Sequence, residues 1–155
     1  MIKLATKLRA KARVFILLTS MLIIQEKVSA KIYVGEVSKP VYSGAHSDKD
    51  KKPLTYDLCK KWILTSQQVK EIFEMSHEYP DDSIILRDYY WLPCDIKGWL
   101  IYDGVIMNFS LNAAATAEWY DHKTKKYIYL GCDKKRCEEY FLLPYNKMGD
   151  GPLVE

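Results

Sequence analysis

The stretch Ile96-Lys97-Gly98-Trp99-Leu100-Ile101-Tyr102-Asp103-Gly104-Val105-Ile106-Met107-Asn108-Phe109-Ser110-Leu111-Asn112 decides the fold. Asp103-Gly104 tolerates positive φ at both of its positions, which is what a type I′ hairpin turn requires. On its C-terminal side Val105, Met107, Phe109 and Leu111 alternate with Asn108, Ser110 and Asn112. A period of two marks a strand with one face buried and one face in water. The spacing therefore predicts a hairpin of Ile96–Tyr102 and Val105–Asn112.

Working outward toward the C-terminus, Ala115, Ala117 and Trp119 alternate with Thr116, Glu118 and Tyr120. A polar tip follows at Asp121–Lys125, Tyr127–Gly131 returns, and Glu138–Leu143 is expected as a last strand. Toward the N-terminus the β pattern is expected from about Ile84. Before it, Thr65-x-x-Gln68 has the form of a capping box. Val69, Ile72, Phe73 and Ser76 then recur at helical spacing, with Lys70, Glu71 and Glu74 turned away. This predicts a helix from about Ser66 to His77, ended by Pro80-Asp81-Asp82. Thr55–Leu64 mixes β-forming residues with Cys59 and Trp62 and is expected to be extended. Ile32, Val34 and Val37 suit a short strand, and Ser38–Pro53 reads as a loop. The fold class expected is α+β: an antiparallel β-meander of four to five strands with one packed α-helix and two disulfides.

The first thirty residues have a different character. Lys3, Lys7, Arg9, Lys11 and Arg13 precede an apolar stretch, Val14–Ile24, and then Val28-Ser29-Ala30. A basic region, a short apolar core and a small-x-Ala site form a secretory signal pattern. The apolar core is well short of the roughly 20 residues that a membrane span needs. The expected organisation is a signal peptide at 1–30, a short strand and polar loop at 31–53, one α+β domain at 54–147 and a flexible tail at 148–155. The whole chain carries 23 basic and 20 acidic residues, but residues 31–155 carry 17 and 19, a net of −2. That balance removes the main argument for a nucleic-acid partner, which needs a basic face.

All four cysteines, Cys59, Cys94, Cys132 and Cys137, follow the signal pattern. An even count in an exported chain points to disulfides. Three pairings are open. Cys59–Cys94 with Cys132–Cys137 is preferred, because Cys132 and Cys137 bracket the polar run Asp133-Lys134-Lys135-Arg136, where a turn brings them together.

Candidates for chemistry are few. His46, His77 and His122 occupy unrelated contexts and read as solvated surface histidines. No serine sits in a nucleophile elbow, no glycine-rich phosphate loop is present, and no cofactor or metal pattern appears. Asp48-x-Asp50 opens like a calcium loop but lacks its later ligands. Asn108-Phe109-Ser110 is a glycosylation sequon, meaningful only in a eukaryotic secretory pathway. Tyr89-Tyr90-Trp91 and Tyr127-x-Tyr129 are either core or an aromatic binding face. The basic tip His122, Lys123, Lys125 and Lys126 shares an end with Asp103 in an up-and-down meander. That pairing is the candidate rim for a protein partner.

The runs Pro93-Cys94-Asp95-Ile96-x-Gly98, Phe109-Ser110-Leu111-Asn112-Ala113-Ala114-Ala115-Thr116-Ala117, and Gly131-Cys132 with Cys137 carry a resemblance. Together they resemble small disulfide-containing periplasmic proteins of Gram-negative bacteria, mostly uncharacterised, some of them immunity-protein-like. Ala113-Ala114-Ala115 stands where such proteins are expected to carry glycines. The motif is structural and transfers no catalytic residue. It implies an exported binding protein, an inhibitor or immunity protein acting on a toxin or hydrolase of the envelope by steric occlusion. A small-molecule or glycan-binding module with an aromatic face is the alternative, and a hydrolase assembled only in three dimensions is the third.

Overall fold

The structure, a computed structural model, describes residues 31–44 and 53–145. The signal pattern, His46, Asp48, Asp50 and the C-terminal tail lie outside the described residues. Strands β1 (Ile32–Val37), β2 (Val41–Tyr42), β3 (His77–Tyr79), β4 (Cys94–Tyr102), β5 (Val105–Asn112), β6 (Thr116–Asp121) and β7 (Lys126–Gly131) form one antiparallel sheet. Its order is β1-β4-β5-β6-β7-β3, and β2 continues the β1 edge along β4. Helices α1 (Pro53–Lys61), α2 (Ser66–Met75) and α3 (Ser83–Asp88) and a 3-10 helix (Lys135–Tyr140) complete the fold.

The hairpin expectation holds in detail. Tyr102 pairs with Val105, and Asp103 and Gly104 have φ of 48° and 82°. Antiparallel pairing then fixes which side chains share a face. Leu100 faces Met107, Gly98 faces Phe109 and Ile96 faces Leu111. Phe109 faces Trp119 and Leu111 faces Ala117 on the next strand. These residues form the core layer with Val34, Ile32 and Leu130. Helix α2 closes it with Val69, Ile72 and Phe73, all buried. The Phe73 ring meets Phe109 and Trp119 edge-on at 5.2 and 5.1 Å, the arrangement that aromatic quadrupoles favour. The capping box that starts α2 is complete: Thr65 accepts from the Gln68 backbone N–H, and the Gln68 side chain accepts from the Thr65 N–H. Ser66 Oγ donates to the Gly35 carbonyl at 2.6 Å, tying the start of α2 to β1.

The disulfides are Cys59–Cys94 and Cys132–Cys137, the preferred pairing. The first ties α1 to the start of β4, and the second closes the turn that leads into the 3-10 helix. Ala113, Ala114 and Ala115 make the β5–β6 turn and are essentially fully buried. Leu143 N–H donates to the Ala113 carbonyl and Cys132 N–H to that of Ala115. Small side chains suit a turn covered on both sides. Ala115 still takes a positive φ of 65°.

Six expectations need correction. Among the described residues the sheet has seven strands rather than four to five, and three α-helices accompany it rather than one. Thr55–Leu64 is not extended: α1 spans most of it, because Cys59 and Trp62, three apart, both turn inward and are buried, and Pro53 occupies the first helical position, where its missing N–H costs nothing. The helix expected to reach His77 ends at Met75. His77–Tyr79 instead donate β3 to the free edge of β7. Ile84 does not begin a strand but lies in α3, and Glu138–Leu143 is not a strand either. Cys137 and Phe141 are buried while Glu139 between them is exposed; a strand would turn all three to one face, whereas the 3-10 helix does not.

Candidate functional site

The opposite face of the sheet is built from the alternate residues. Reading across β4, β5, β6, β7 and β3, registers place Lys97, Ser110, Glu118, Tyr129 and Tyr79 in one row. Trp99, Asn108, Tyr120 and Tyr127 form the next row toward the Asp103 end. Tyr33 faces Ile101, which faces Ile106, in the row beyond. In the other direction lie Asp95, Asn112 and Thr116.

Among the described residues this face is covered at one end. Helix α3 and residues 89–92 form an arm across it, and the Tyr89 ring lies over Gly131, where any side chain would collide with it. Asn112 pins the arm. Its amide donates to the Leu92 carbonyl at 2.6 Å and to Asp95 Oδ1 at 2.9 Å. Its oxygen accepts from the N–H groups of Leu92 and Ala114. A buried amide with all of this capacity used holds its surroundings in one arrangement. Asp81 starts α3 by accepting from both the backbone and the hydroxyl of Ser83.

Between arm and sheet lies a cleft of about 430 Å³, walled by Trp91, Leu86 and Asp82 and floored by Lys97, Ser110, Glu118 and Tyr129. Asp95 accepts from Asn112 and Ser43. Among the described residues Glu118 has neither a hydrogen-bond partner nor an ion pair. Desolvation pushes its carboxyl above the ordinary range, and the nearby Asp95 charge adds to this. Lys97 acts in the opposite direction.

No family model, curated protein or solved structure matches the chain.

Beyond the arm no described residue covers the face. Ile106 is 64% exposed, Tyr33 56%, Tyr127 49% and Trp99 37%. Trp99 is held flat on the sheet because Gly35 leaves room for its ring, and Tyr33 tilts against it at 5.9 Å. Tyr120, Tyr127 and Tyr129 continue as a ladder with centroids 4.7 and 6.0 Å apart.

The candidate residues from the sequence fall around this surface. Asp103 and the His122–Lys126 tip close neighbouring hairpins at the same end of the sheet. Asp103 accepts from the Lys31 N–H, fastening β1 to the turn. His122 Nε2 lies 2.8 Å from Asn108 Nδ2 and stands edge-on to Tyr120. It therefore ends the aromatic face. Lys123, Lys125 and Lys126 are exposed around a loop that Asp121 organises, accepting from the Lys123 N–H and the Thr124 hydroxyl. Those bonds, Thr124 first, hold the Asp121 carboxyl below the usual range. The cysteines are buried staples. His77 lies 3.1 Å from Asp133 on an exposed edge. Among the described residues no hydrogen bond joins a histidine to a hydroxyl, and no group of three His, Cys, Asp or Glu side chains is placed to hold a metal.

Sequence reading missed the cleft. Its residues come from α3, the 91–97 segment and three other strands, and the arm that walls it was read as β. The one available signal was the run Ser110, Asn112, Thr116 and Glu118 on the outward face of two paired strands.

Proposed function

We propose that the protein is an exported binding protein that holds a protein partner against the bare face of its sheet. It acts as an inhibitor or immunity protein by covering the working surface of an envelope-acting toxin or hydrolase. The observation that carries this reading is the patch of Tyr33, Trp99, Ile106 and Tyr127, uncovered by any described residue, on a sheet whose other face already carries the core. Trp and Tyr are the residues that supply most binding energy at protein interfaces. Exposed apolar patches on a soluble domain mark interaction sites. The rigidity of the platform supports the same reading, since Gly35 and Asn112 fix Trp99 and the arm before any partner arrives, which lowers the entropy cost of association. Two disulfides fit an oxidising compartment. Among the described residues no helix is long and apolar enough to cross a membrane.

The glycan-module reading has less support. The cleft is open and has two aromatic rings, Trp91 and Tyr129, rather than a deep aromatic lining. A hydrolase would need a base beside a nucleophile, and the His77–Asp133 pair has none.

The experiment captures partners from periplasmic extract on wild-type protein and on the Tyr33→Ser, Ile106→Ser double variant, then assays the captured protein's activity. Surface changes of this kind cost within about 0.5 kcal/mol each in stability. Wild type should retain and inhibit a partner that the double variant releases. Reversing Lys123, Lys125 and Lys126 to Glu should slow association and alter its salt dependence, as rim charges do. A captured protein whose activity is unchanged at saturation would overturn the reading.

A further inference from the structure

We infer that the cleft between α3 and the sheet is a receptor for a planar cation, the guanidinium of an arginine side chain presented by the protein partner. The inference rests on the binding reading above and names the anchor that the partner must supply.

The chemistry of the walls selects the ligand. Among the described residues Asp82, Asp95 and Glu118 line the cleft against a single cation, Lys97. Asp95 already has two donors, whereas Glu118, exposed on the cleft floor, has none among the described residues. Glu118 stands between Ser110 and Tyr129 in its cross-strand row, so its immediate neighbours supply no countercharge. Directly opposite residues in such a row lie about 4.5–5.5 Å apart, close enough for a fork of N–H donors to span from Glu118 to the Ser110 hydroxyl. The Trp91 ring, 65% exposed on the arm, offers a face over which a guanidinium stacks. Guanidinium meets a carboxylate with two parallel hydrogen bonds and keeps its stacking surface free, which an ammonium cannot do.

A sugar would use the same Trp face and hydroxyl acceptors, but would leave the repulsion between Asp95 and Glu118 unrelieved. An anion is excluded by three carboxylates. The volume, about 430 Å³, takes one long side chain and not a folded segment. The arm is already fixed through Asn112, so the cleft exists before the ligand enters.

The test uses purified protein and N-acetyl-arginine amide as the probe, followed by NMR of the backbone amides and the Trp91 indole N–H. N-acetyl-citrulline amide, the neutral isostere, is the control. The arginine probe should bind saturably with a Kd of about 1 mM, the order expected of one anchor. Binding should centre on Glu118, Ser110 and Trp91 and weaken with salt. Glu118→Gln should weaken it about tenfold, the value of one charge-assisted hydrogen bond. Trp91→Ala should weaken it as well. The Tyr33→Ser, Ile106→Ser variant should bind the probe normally while losing the partner, so failure of the cleft and failure of the partner surface are read separately. Equal shifts with citrulline, or an unchanged Kd in Glu118→Gln, would overturn the inference.

Discussion

Removing each disulfide separately should reveal very different contributions. The perturbations are the double variants Cys59→Ser, Cys94→Ser and Cys132→Ser, Cys137→Ser, which avoid leaving a free thiol. All four cysteines are essentially fully buried, so the cost of placing a hydroxyl in the interior is similar for both pairs and cancels in the comparison. What differs is the loop each bond closes, with sequence separations of 35 and 5. In the chain-entropy model these loops are worth ~3.8 and ~2.1 kcal/mol at 25 °C. Loss of the Cys59–Cys94 bond should therefore cost about 1.7 kcal/mol more than loss of Cys132–Cys137. The gap is a sizeable fraction of a total stability of about 5–15 kcal/mol. Urea unfolding followed by tryptophan fluorescence measures it. Opening a loop expands the denatured ensemble and changes the slope, so extrapolated free energies must be compared, not midpoints alone. Equal losses, or a larger loss from the short loop, would refute the reasoning: native contacts at the 132–137 turn, not denatured-state entropy, would then dominate.

Asn112→Ala should cost about 1–3 kcal/mol, because the N–H groups of Leu92 and Ala114 lose their acceptor in the interior. Hydrogen exchange should accelerate at Leu92 and through the arm while α2 stays protected, and uniform acceleration would contradict the assigned role. Glu118 and Asp121 should respond to pH with opposite signs. The Glu118 carboxyl is raised on folding, so its charge opposes folding once pH exceeds the ordinary carboxylate range. Glu118→Gln should then raise stability at neutral pH, and the gain should vanish on acidification. The Asp121 carboxyl is lowered, so its contribution is present at neutral pH and is lost as pH falls through its folded value; Asp121→Asn should flatten that acid limb. Denaturation midpoints across pH check both signs. A Glu118→Gln variant that is more stable yet binds arginine less well is the trade expected of a residue kept for function.

The centre of the sheet was legible from local sequence signals alone. Asp103-Gly104 set one turn, and strict alternation from Val105 to Leu111 set the register, because a slip of one residue would carry Met107, Phe109 and Leu111 to the wrong face. Helix α2 was legible as well, because the capping box and the spacing of Val69, Ile72 and Phe73 point to the same element. The favoured cysteine pairing followed from a short polar run that only a turn can close. Local signals were insufficient where an element is shaped by what lies far away in the chain. Thr55–Leu64 carries β-forming residues, but Cys59 and Trp62 are drawn to Cys94 and to the Tyr140 carbonyl, which Trp62 Nε1 meets at 2.7 Å; a helix ending at Lys61 turns Cys59 inward and delivers Trp62 to the interior just past its end. His77–Tyr79 is too short to announce a strand and exists because β7 has an edge to fill. The bare face was visible as half of the alternation, but not that it would stay bare. Which face α2 covers is settled by tertiary packing, and the Asn112 contact to Leu92, twenty residues away, together with Tyr89 seated over Gly131, lays the arm over one end and leaves a cleft there. Alternation along a strand is a local consequence of the pleat, whereas a cleft is made by several segments meeting, and no short stretch of sequence contains that meeting.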